Sequence, residues 1–189
     1  MKYKIIVNTI KIVRKLMNEN VRNGSIALDC TVGNGNDTLL LADLVGENGK
    51  VYGFDIQQIA IKNTYDLLQE HSLENRVKLI NDSHEYIDNY VNEKVDFIVY
   101  NLGYLPKGNK TIKTNKKSTI LSIKKSLEIL NGNGLLLVTA YIGHAGGLEE
   151  KEAIENYLSY INQKEYNVLK FDFINQINSP PILYCVEKL

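Results

Sequence analysis

The sequence has few of the residues that mark secreted, membrane-bound or metal-binding proteins. It has no tryptophan, three prolines and two cysteines in 189 residues. Cys30 and Cys185 are too few for a disulfide framework and lack the spacing of a zinc site. No segment approaches the roughly 20 apolar residues that a transmembrane helix needs, and lysine and arginine interrupt residues 1–15. We therefore expect a cytoplasmic protein with no metal, no signal peptide and no membrane contact.

The chain also lacks a net charge. Its 22 basic residues balance 22 acidic residues, so the whole molecule has no general attraction to nucleic acid. Locally the balance differs, because no acidic residue occurs between Phe97 and Leu127. That stretch contains Lys107, Lys110, Lys113, Lys116, Lys117, Lys124 and Lys125. This basic segment, Lys107 to Lys125, is suited to binding RNA phosphates. An ordinary solvated lysine-rich surface is the alternative.

Hydrophobic periodicity predicts one α/β domain over residues 1–189. An amphipathic helix ending near Asn23 and Gly24 is expected to pack on it. Strands then alternate with helices, which is typical of a parallel sheet covered on both faces. Seven strands are predicted, at 25–32, 50–56, 77–81, 95–100, 134–140, 166–174 and 182–187. Further helices are predicted at 36–45, 57–71, 84–91, 117–130 and 148–161.

The predicted C-terminal end of the sheet distinguishes between two classes of Rossmann-like protein. The last two strands have no helix between them and must form an antiparallel hairpin at one sheet edge. A dinucleotide-dependent dehydrogenase would be expected to continue with parallel units. The layout instead favours a class I methyltransferase that uses S-adenosylmethionine (SAM).

A glycine-containing loop, residues 29–38 (DCTVGNGNDT), joins the first strand to the helix that follows it. Its glycines allow a tight turn close to a ligand, and the start of the helix offers free N–H groups. Thr38 stands where a dehydrogenase would have a third glycine, which disfavours a nicotinamide cofactor. A tight turn without a ligand is the alternative. The candidate cofactor-binding residues here are Asp29, Gly33, Asn34, Gly35, Asn36 and Asp37.

Polar side chains also end the second and third predicted strands. Asp55 follows Gly33 by roughly 20 residues, the position of an acidic residue that accepts ribose hydroxyls. Asp55, and likewise Asp82 or Ser83 at the end of the third strand, could instead cap the helix that follows it. The candidate cofactor-binding residues at these two strand ends are Asp55, Gln57, Asp82, Ser83 and His84.

The segment 101–106 (NLGYLP) follows the fourth strand, at the sheet edge where open α/β sheets bind ligands. It resembles the Asn-Pro-Pro-Tyr motif of amino-group methyltransferases, with Leu102 and Gly103 in place of the prolines. In that motif the asparagine accepts a hydrogen bond from the amine and the aromatic ring packs on the base. We therefore take Asn101 and Tyr104 as candidate catalytic residues. A structured loop, in which they have packing and capping roles, is the alternative.

Five runs together are similar to a bacterial family first labelled putative rRNA methylases and now assigned as tRNA 5-aminomethyl-2-thiouridine methyltransferases. The runs are 29–38, 54–57 (FDIQ), 81–84 (NDSH), 101–106 and 141–147 (YIGHAGG). The resemblance covers nearly the whole chain. It implies SAM as the cofactor and the anticodon region of tRNA as the partner. The implied reaction converts the aminomethyl group of a wobble uridine to methylaminomethyl.

An aliphatic amine of this kind is mostly protonated at neutral pH, as lysine is. The enzyme must bind or create its neutral form. His144, in a glycine-rich loop, is the candidate proton acceptor and the third candidate catalytic residue; a surface or capping role is the alternative. Tyr141 could shape the pocket.

The sequence leaves other functions open. A SAM-dependent methyltransferase acting on another RNA amine or on a small amine is the main alternative. An NAD-dependent oxidoreductase and a non-catalytic RNA-binding protein fit less well. The sequence leaves the oligomeric state open between a monomer and a homodimer.

Overall fold

The computed structural model describes residues 7–103 and 114–189. Two short 3-10 segments, Glu74–Arg76 and His84–Asn89, accompany the main helices and strands. In chain order these are α1 (Thr9–Asn20), β1 (Ile26–Asp29), α2 (Asn36–Val45), β2 (Lys50–Phe54), α3 (Gln58–Glu70), β3 (Val77–Ile80), β4 (Val95–Leu102), α4 (Lys116–Ile129), β5 (Leu130–Ala140), α5 (Gly147–Ser159), β6 (Tyr166–Phe171) and β7 (Ile182–Lys188).

The strands form one seven-stranded sheet in the order β3-β2-β1-β4-β5-β7-β6. The pairs from β3 across to β5 are all parallel. β7 is antiparallel to both β5 and β6, so the last two strands form the expected antiparallel pair at the sheet edge. The predicted fold class is therefore confirmed. Because the strand order reverses direction between β1 and β4, a ligand site is expected where their carboxyl ends diverge.

Apolar side chains cover both faces of the sheet. One face packs against α4, α5 and the His84–Asn89 segment, and residues such as Ile87, Ile123 and Ile154 are fully buried there. The other face packs against α1, α2 and α3. The N-terminal helix joins this second layer through Val13 and Met17, which are both buried. This burial on both sides explains why the central strands have almost no polar interruption.

Several predicted boundaries differ from the observed ones. The predicted helix over 84–91 is a 3-10 segment with non-helical backbone at Tyr86. The first strand ends at Asp29 rather than 32, because the chain turns into the glycine loop there. The β6 strand ends at Phe171, and Ile174 beyond it is 99% exposed. Within the described ranges no helix is long and apolar enough to cross a membrane.

Candidate active site

A cleft of about 900 Å³ lies at the carboxyl ends of β1, β2, β3 and β4. Most of the predicted site residues line it, together with side chains from α1 and from the loop after β5. The lining residues among those predicted are Gly33, Asn34, Asn36, Asp37, Asp55, Gln57, Asp82, Ser83, His84, Asn101 and His144. A volume near the upper end of the roughly 300–1,000 Å³ typical of ligand pockets is sufficient for a nucleoside-sized ligand.

Asp55 holds the glycine loop to the end of β2. Its Oδ2 accepts a hydrogen bond from the Gly33 N–H at 2.9 Å, and its Oδ1 accepts one from the Gln57 N–H at 2.9 Å. Burial raises the pKa of this carboxyl, and the two N–H donors oppose that rise. Each oxygen has a second lone pair, so the carboxylate can still accept two hydroxyls from the cleft.

Gly35 does not line the cleft, and its role is in packing. It directly precedes the first residue of α2 and has a left-handed backbone, φ +76°. A Cβ atom at this position would lie 2.7 Å from Thr64 Oγ1 on α3. The glycine therefore allows the start of α2 to approach α3 closely, and its contact with a cofactor stays a prediction.

Asp29 also lies outside the cleft lining, and its side chain is fully buried. Its oxygens accept hydrogen bonds from the Thr31 N–H at 3.1 Å and from the Thr38 hydroxyl at 2.6 Å. Burial, followed by the nearby Asp37 charge, raises the pKa of Asp29 to about 7. Asp29 therefore braces the loop from beneath. Thr38, where a dehydrogenase would carry glycine, is its buried partner.

The end of β3 forms the far wall of the cleft. Asp82 accepts hydrogen bonds from the Ser83 N–H at 2.7 Å and the Tyr90 hydroxyl at 2.7 Å. Ser83 caps the 3-10 segment by accepting from the Glu85 N–H. The capping alternative is thus realised for Ser83, which still lines the cleft. His84 is 7% exposed, and burial lowers its pKa to about 4, so its ring is neutral at pH 7.

Asn101, at the end of β4, is tied to both α2 and the glycine loop. Its Nδ2 donates to Asp37 Oδ2 at 2.6 Å, and its backbone N–H donates to Thr31 Oγ1 at 2.6 Å. A carboxylate can only accept hydrogen bonds, so this contact fixes which way the amide points. Among residues 7–103 and 114–189 no donor to the Asn101 side-chain oxygen is found, so this oxygen can accept from a donor in the cleft.

Directly after Asn101, a second set of contacts closes the base of the next loop. The Gly103 N–H donates to Thr114 Oγ1 at 3.0 Å, and the Thr114 N–H donates to the Gly103 carbonyl at 3.0 Å. The Thr114 hydroxyl in turn donates to Glu150, which is 2% exposed at the start of α5. A proline at position 103 would have no N–H for this bridge, which accounts for the departure from the Pro-Pro motif.

Of the other two predicted catalytic residues, His144 and Tyr104, the structure describes His144. His144 lines the cleft beside Gly103, and its Nδ1 lies 3.1 Å from the Ala145 carbonyl. Tyr141 also lines the cleft. Tyr104 falls outside the described residues, as do Lys107, Lys110 and Lys113.

The described lysines of the basic segment have different surroundings. Lys116 and Lys117 are exposed at the start of α4, next to Asn115 and Ser118 of the cleft lining. Lys124 lies over the Tyr157 ring at 5.4 Å. Lys125 donates to Asp88 at 2.6 Å and to the Glu85 carbonyl at 2.6 Å, so its charge is already paired.

The cleft lining also includes side chains from α1 and from the loop before β7 that the sequence did not single out. Arg14 and Ile10 reach it from α1, one turn apart, and Ser179 reaches it from the loop before β7. The i, i+4 spacing of Ile10 and Arg14 was visible in the sequence, but nothing there indicated which face of α1 meets the cleft. Among residues 7–103 and 114–189, no three His, Cys, Asp or Glu side chains could together hold a metal ion.

A sequence model of the family described as "Putative rRNA methylase" matches residues 51–187. The chain is 37% identical over 178 residues to a chloroplastic tRNA (mnm(5)s(2)U34)-methyltransferase of Arabidopsis thaliana. The match covers 89% of this chain and 65% of that longer protein.

Two crystal structures are similar over nearly the whole chain. A putative rRNA-methylase from Clostridium thermocellum is 43% identical, with a TM-score of 0.95 and 100% of both chains covered. A putative methyltransferase from Streptococcus mutans, in complex with SAH, is 36% identical. Its TM-score is 0.89, and the match covers 98% of this chain and 100% of that one.

Proposed function

The chain belongs to the rRNA methylase family and is a SAM-dependent methyltransferase, and we propose that its acceptor is the 5-aminomethyl group of a wobble uridine or 2-thiouridine in tRNA. The product is the methylaminomethyl nucleoside. The Asn101 amide carries this proposal, because its nitrogen donates to Asp37 and no described residue donates to its oxygen, which can accept an amine N–H. The similarity to the Arabidopsis tRNA methyltransferase supports tRNA as the substrate.

The residues around the glycine loop suit SAM. Asp55 would accept the two ribose hydroxyls, and its negative charge would repel a 2′-phosphate. Asp82, Ser83 and the neutral His84 would border the adenine. Asn34, Asn36 and Gln57 would line the rest of the cofactor site. When bound, SAM supplies a methyl group on a positively charged sulfur. Its transfer forms an N–C bond and leaves the C–S electron pair on sulfur.

The chain's contribution to transfer is mainly orientation. The Asn101 oxygen would accept one N–H of the amine and direct the nitrogen lone pair along the line of displacement, which supplies much of the rate of such a reaction. Tyr104, which follows Gly103 in the sequence, would pack against the uridine ring. His144 borders the same part of the cleft and remains a candidate for accepting the amine proton.

RNA would approach over the start of α4. Lys116 and Lys117 are the described lysines beside the cleft whose side chains point to solvent, whereas Lys125 is paired with Asp88. The positive end of the α4 dipole adds to their attraction for phosphate. The sequence between Gly103 and Thr114 contains three more lysines of the basic segment, all outside the described residues.

The test is transfer of a labelled methyl group from SAM to three acceptors. These are tRNA that carries 5-aminomethyluridine at the wobble position, the same tRNA with the mature nucleoside, and a free aliphatic amine. We expect label in the first alone. Equal labelling of the free amine would contradict an RNA substrate. Labelling of the mature tRNA would show that the enzyme methylates a different nucleotide.

A further inference from the structure

The cleft contains a carboxylate at the point where the amine would be held. Asp37 lies in the first turn of α2 and lines the cleft. Its Oδ2 accepts the Asn101 amide at 2.6 Å, and no hydrogen bond to its Oδ1 is found among the described residues. A group bound to the Asn101 oxygen would therefore lie close to the Asp37 carboxylate.

We propose that Asp37, which the sequence grouped with the cofactor-binding residues, instead binds the protonated aminomethyl group of the substrate and accepts the proton that the amine must lose before methyl transfer. This inference rests on the proposed function. In the step, an N–H bond breaks and its electron pair stays on nitrogen. The proton bonds to an Asp37 oxygen and later passes to water. Asn101 then holds the neutral amine by one of its remaining N–H groups.

Charge favours a carboxylate at this position. The substrate amine is a cation at neutral pH, and the sulfur of SAM is also positively charged, so the two repel each other. A carboxylate hydrogen-bonded to the residue that orients the amine offsets this repulsion. It would also select an aliphatic ammonium over a neutral nucleobase amine, which gains nothing from a negative charge.

The surroundings of Asp37 act on its pKa in opposite directions. Burial raises the pKa of Asp37, and the Asn101 hydrogen bond and the Arg14 charge on α1 oppose the rise. Among the residues that the structure describes, the other ionisable groups that interact with it are Asp29 on β1 and Tyr141 after β5. Asp29 is the more deeply buried of the two carboxyls, and the Asp37 charge is one of the causes that raise its pKa.

The test uses Asp37→Asn, which has the same shape and an oxygen that can still accept the Asn101 amide. The single-turnover methylation rate of the parent is measured with aminomethyl tRNA as a function of pH. This rate should become independent of pH above the pKa of Asp37 and remain so up to the pKa of the amine. At pH 7 the variant should be slower by about 10²-fold or more. Its rate should rise tenfold per pH unit, because it depends on amine that is already neutral. Asp43→Asn, exposed on the same helix, is the control and should match the parent.

Binding gives a second readout that does not depend on turnover. With SAH present, the parent should bind aminomethyl tRNA more tightly than tRNA with an unmodified wobble uridine. Asp37→Asn should lose this difference while its SAM affinity, measured by calorimetry, stays within about threefold of the parent.

The outcomes separate the two levels of the proposal. A parent that methylates no aminomethyl tRNA would overturn the proposed function and this inference with it. An active parent whose Asp37→Asn variant keeps the parental pH profile would overturn the role of Asp37 alone. A large loss of SAM affinity in Asp37→Asn would also overturn it, because the carboxylate would then belong to the cofactor site. A pH profile that is altered in His144→Asn but not in Asp37→Asn would likewise overturn it.

Discussion

Replacing Asp55 tests the cofactor half of the site. Its two oxygens already accept the Gly33 and Gln57 N–H groups at 2.9 Å, and they are proposed to accept two ribose hydroxyls as well. Hydrogen bonds to a charged group contribute about 1.5–3 kcal/mol each. Loss of both ribose contacts in Asp55→Ala should therefore weaken SAM binding by at least about 3 kcal/mol, or more than about 100-fold.

Asp55→Asn should fall between the parent and the alanine variant. The amide retains one oxygen acceptor, but its NH₂ group must face one of the two backbone N–H donors. We expect about one charged hydrogen bond to be lost, a weakening of roughly 10- to 100-fold. Asp66→Asn on α3 is the matched control, because its ion pair with Lys62 is exposed and contributes little.

The assay is calorimetric titration of SAM into each variant, with circular dichroism as a check on folding. The loop loses two acceptors in Asp55→Ala, so its free energy of unfolding should drop by roughly 1–2 kcal/mol without loss of the fold. A folded Asp55→Ala protein with parental SAM affinity would refute the assignment of the ribose to Asp55.

Three further substitutions test other parts of the account. Gly35→Ala should lower the free energy of unfolding by at least about 2 kcal/mol, because a left-handed backbone and a 2.7 Å contact oppose the new Cβ. A variant that unfolds at the same urea concentration as the parent would argue against this packing. Asn101→Ala should slow single-turnover methylation by about 10²-fold with little change in SAM affinity, and a parental rate would show that other groups hold the amine. Joint replacement of Lys116 and Lys117 by alanine should flatten the salt dependence of tRNA binding by about 0.7–0.9 in log–log slope per lost phosphate contact. Lys164→Ala, just before the outermost strand β6, should leave the slope unchanged. Equal slopes in the parent, the double variant and Lys164→Ala would show that RNA binds elsewhere on the protein.

The fold could be predicted in detail where local signals agreed. The α2 helix was predicted over its observed residues because Gly46 follows its last residue, and Gly46 has a positive φ of 67°, which glycine adopts readily. The His84–Asn89 segment was predicted as an ordinary helix, since an apolar pattern over so few residues does not distinguish a 3-10 helix from an α-helix. The edge position of β6 followed from the missing helix between the last two strands.

The site was harder to predict because position after a strand does not determine which way a side chain points. Asp29 and Asp55 both follow buried strands, yet Asp29 points under the loop and Asp55 lines the cleft. The link from Asn101 to Asp37 joins residues 64 positions apart and has no local sequence signal. The contribution of α1 was hidden for the same reason, since it depends on how the helix docks on the sheet.

The central claim is that this protein methylates the 5-aminomethyl group of a wobble uridine. The most direct measurement is mass spectrometry of nucleosides from aminomethyl tRNA after incubation with the protein and SAM. We predict that the aminomethyl nucleoside is replaced by its methylaminomethyl form, that omission of SAM prevents this, and that no other nucleoside gains mass. An unchanged wobble nucleoside, or a methyl group on a different nucleoside, would contradict the account.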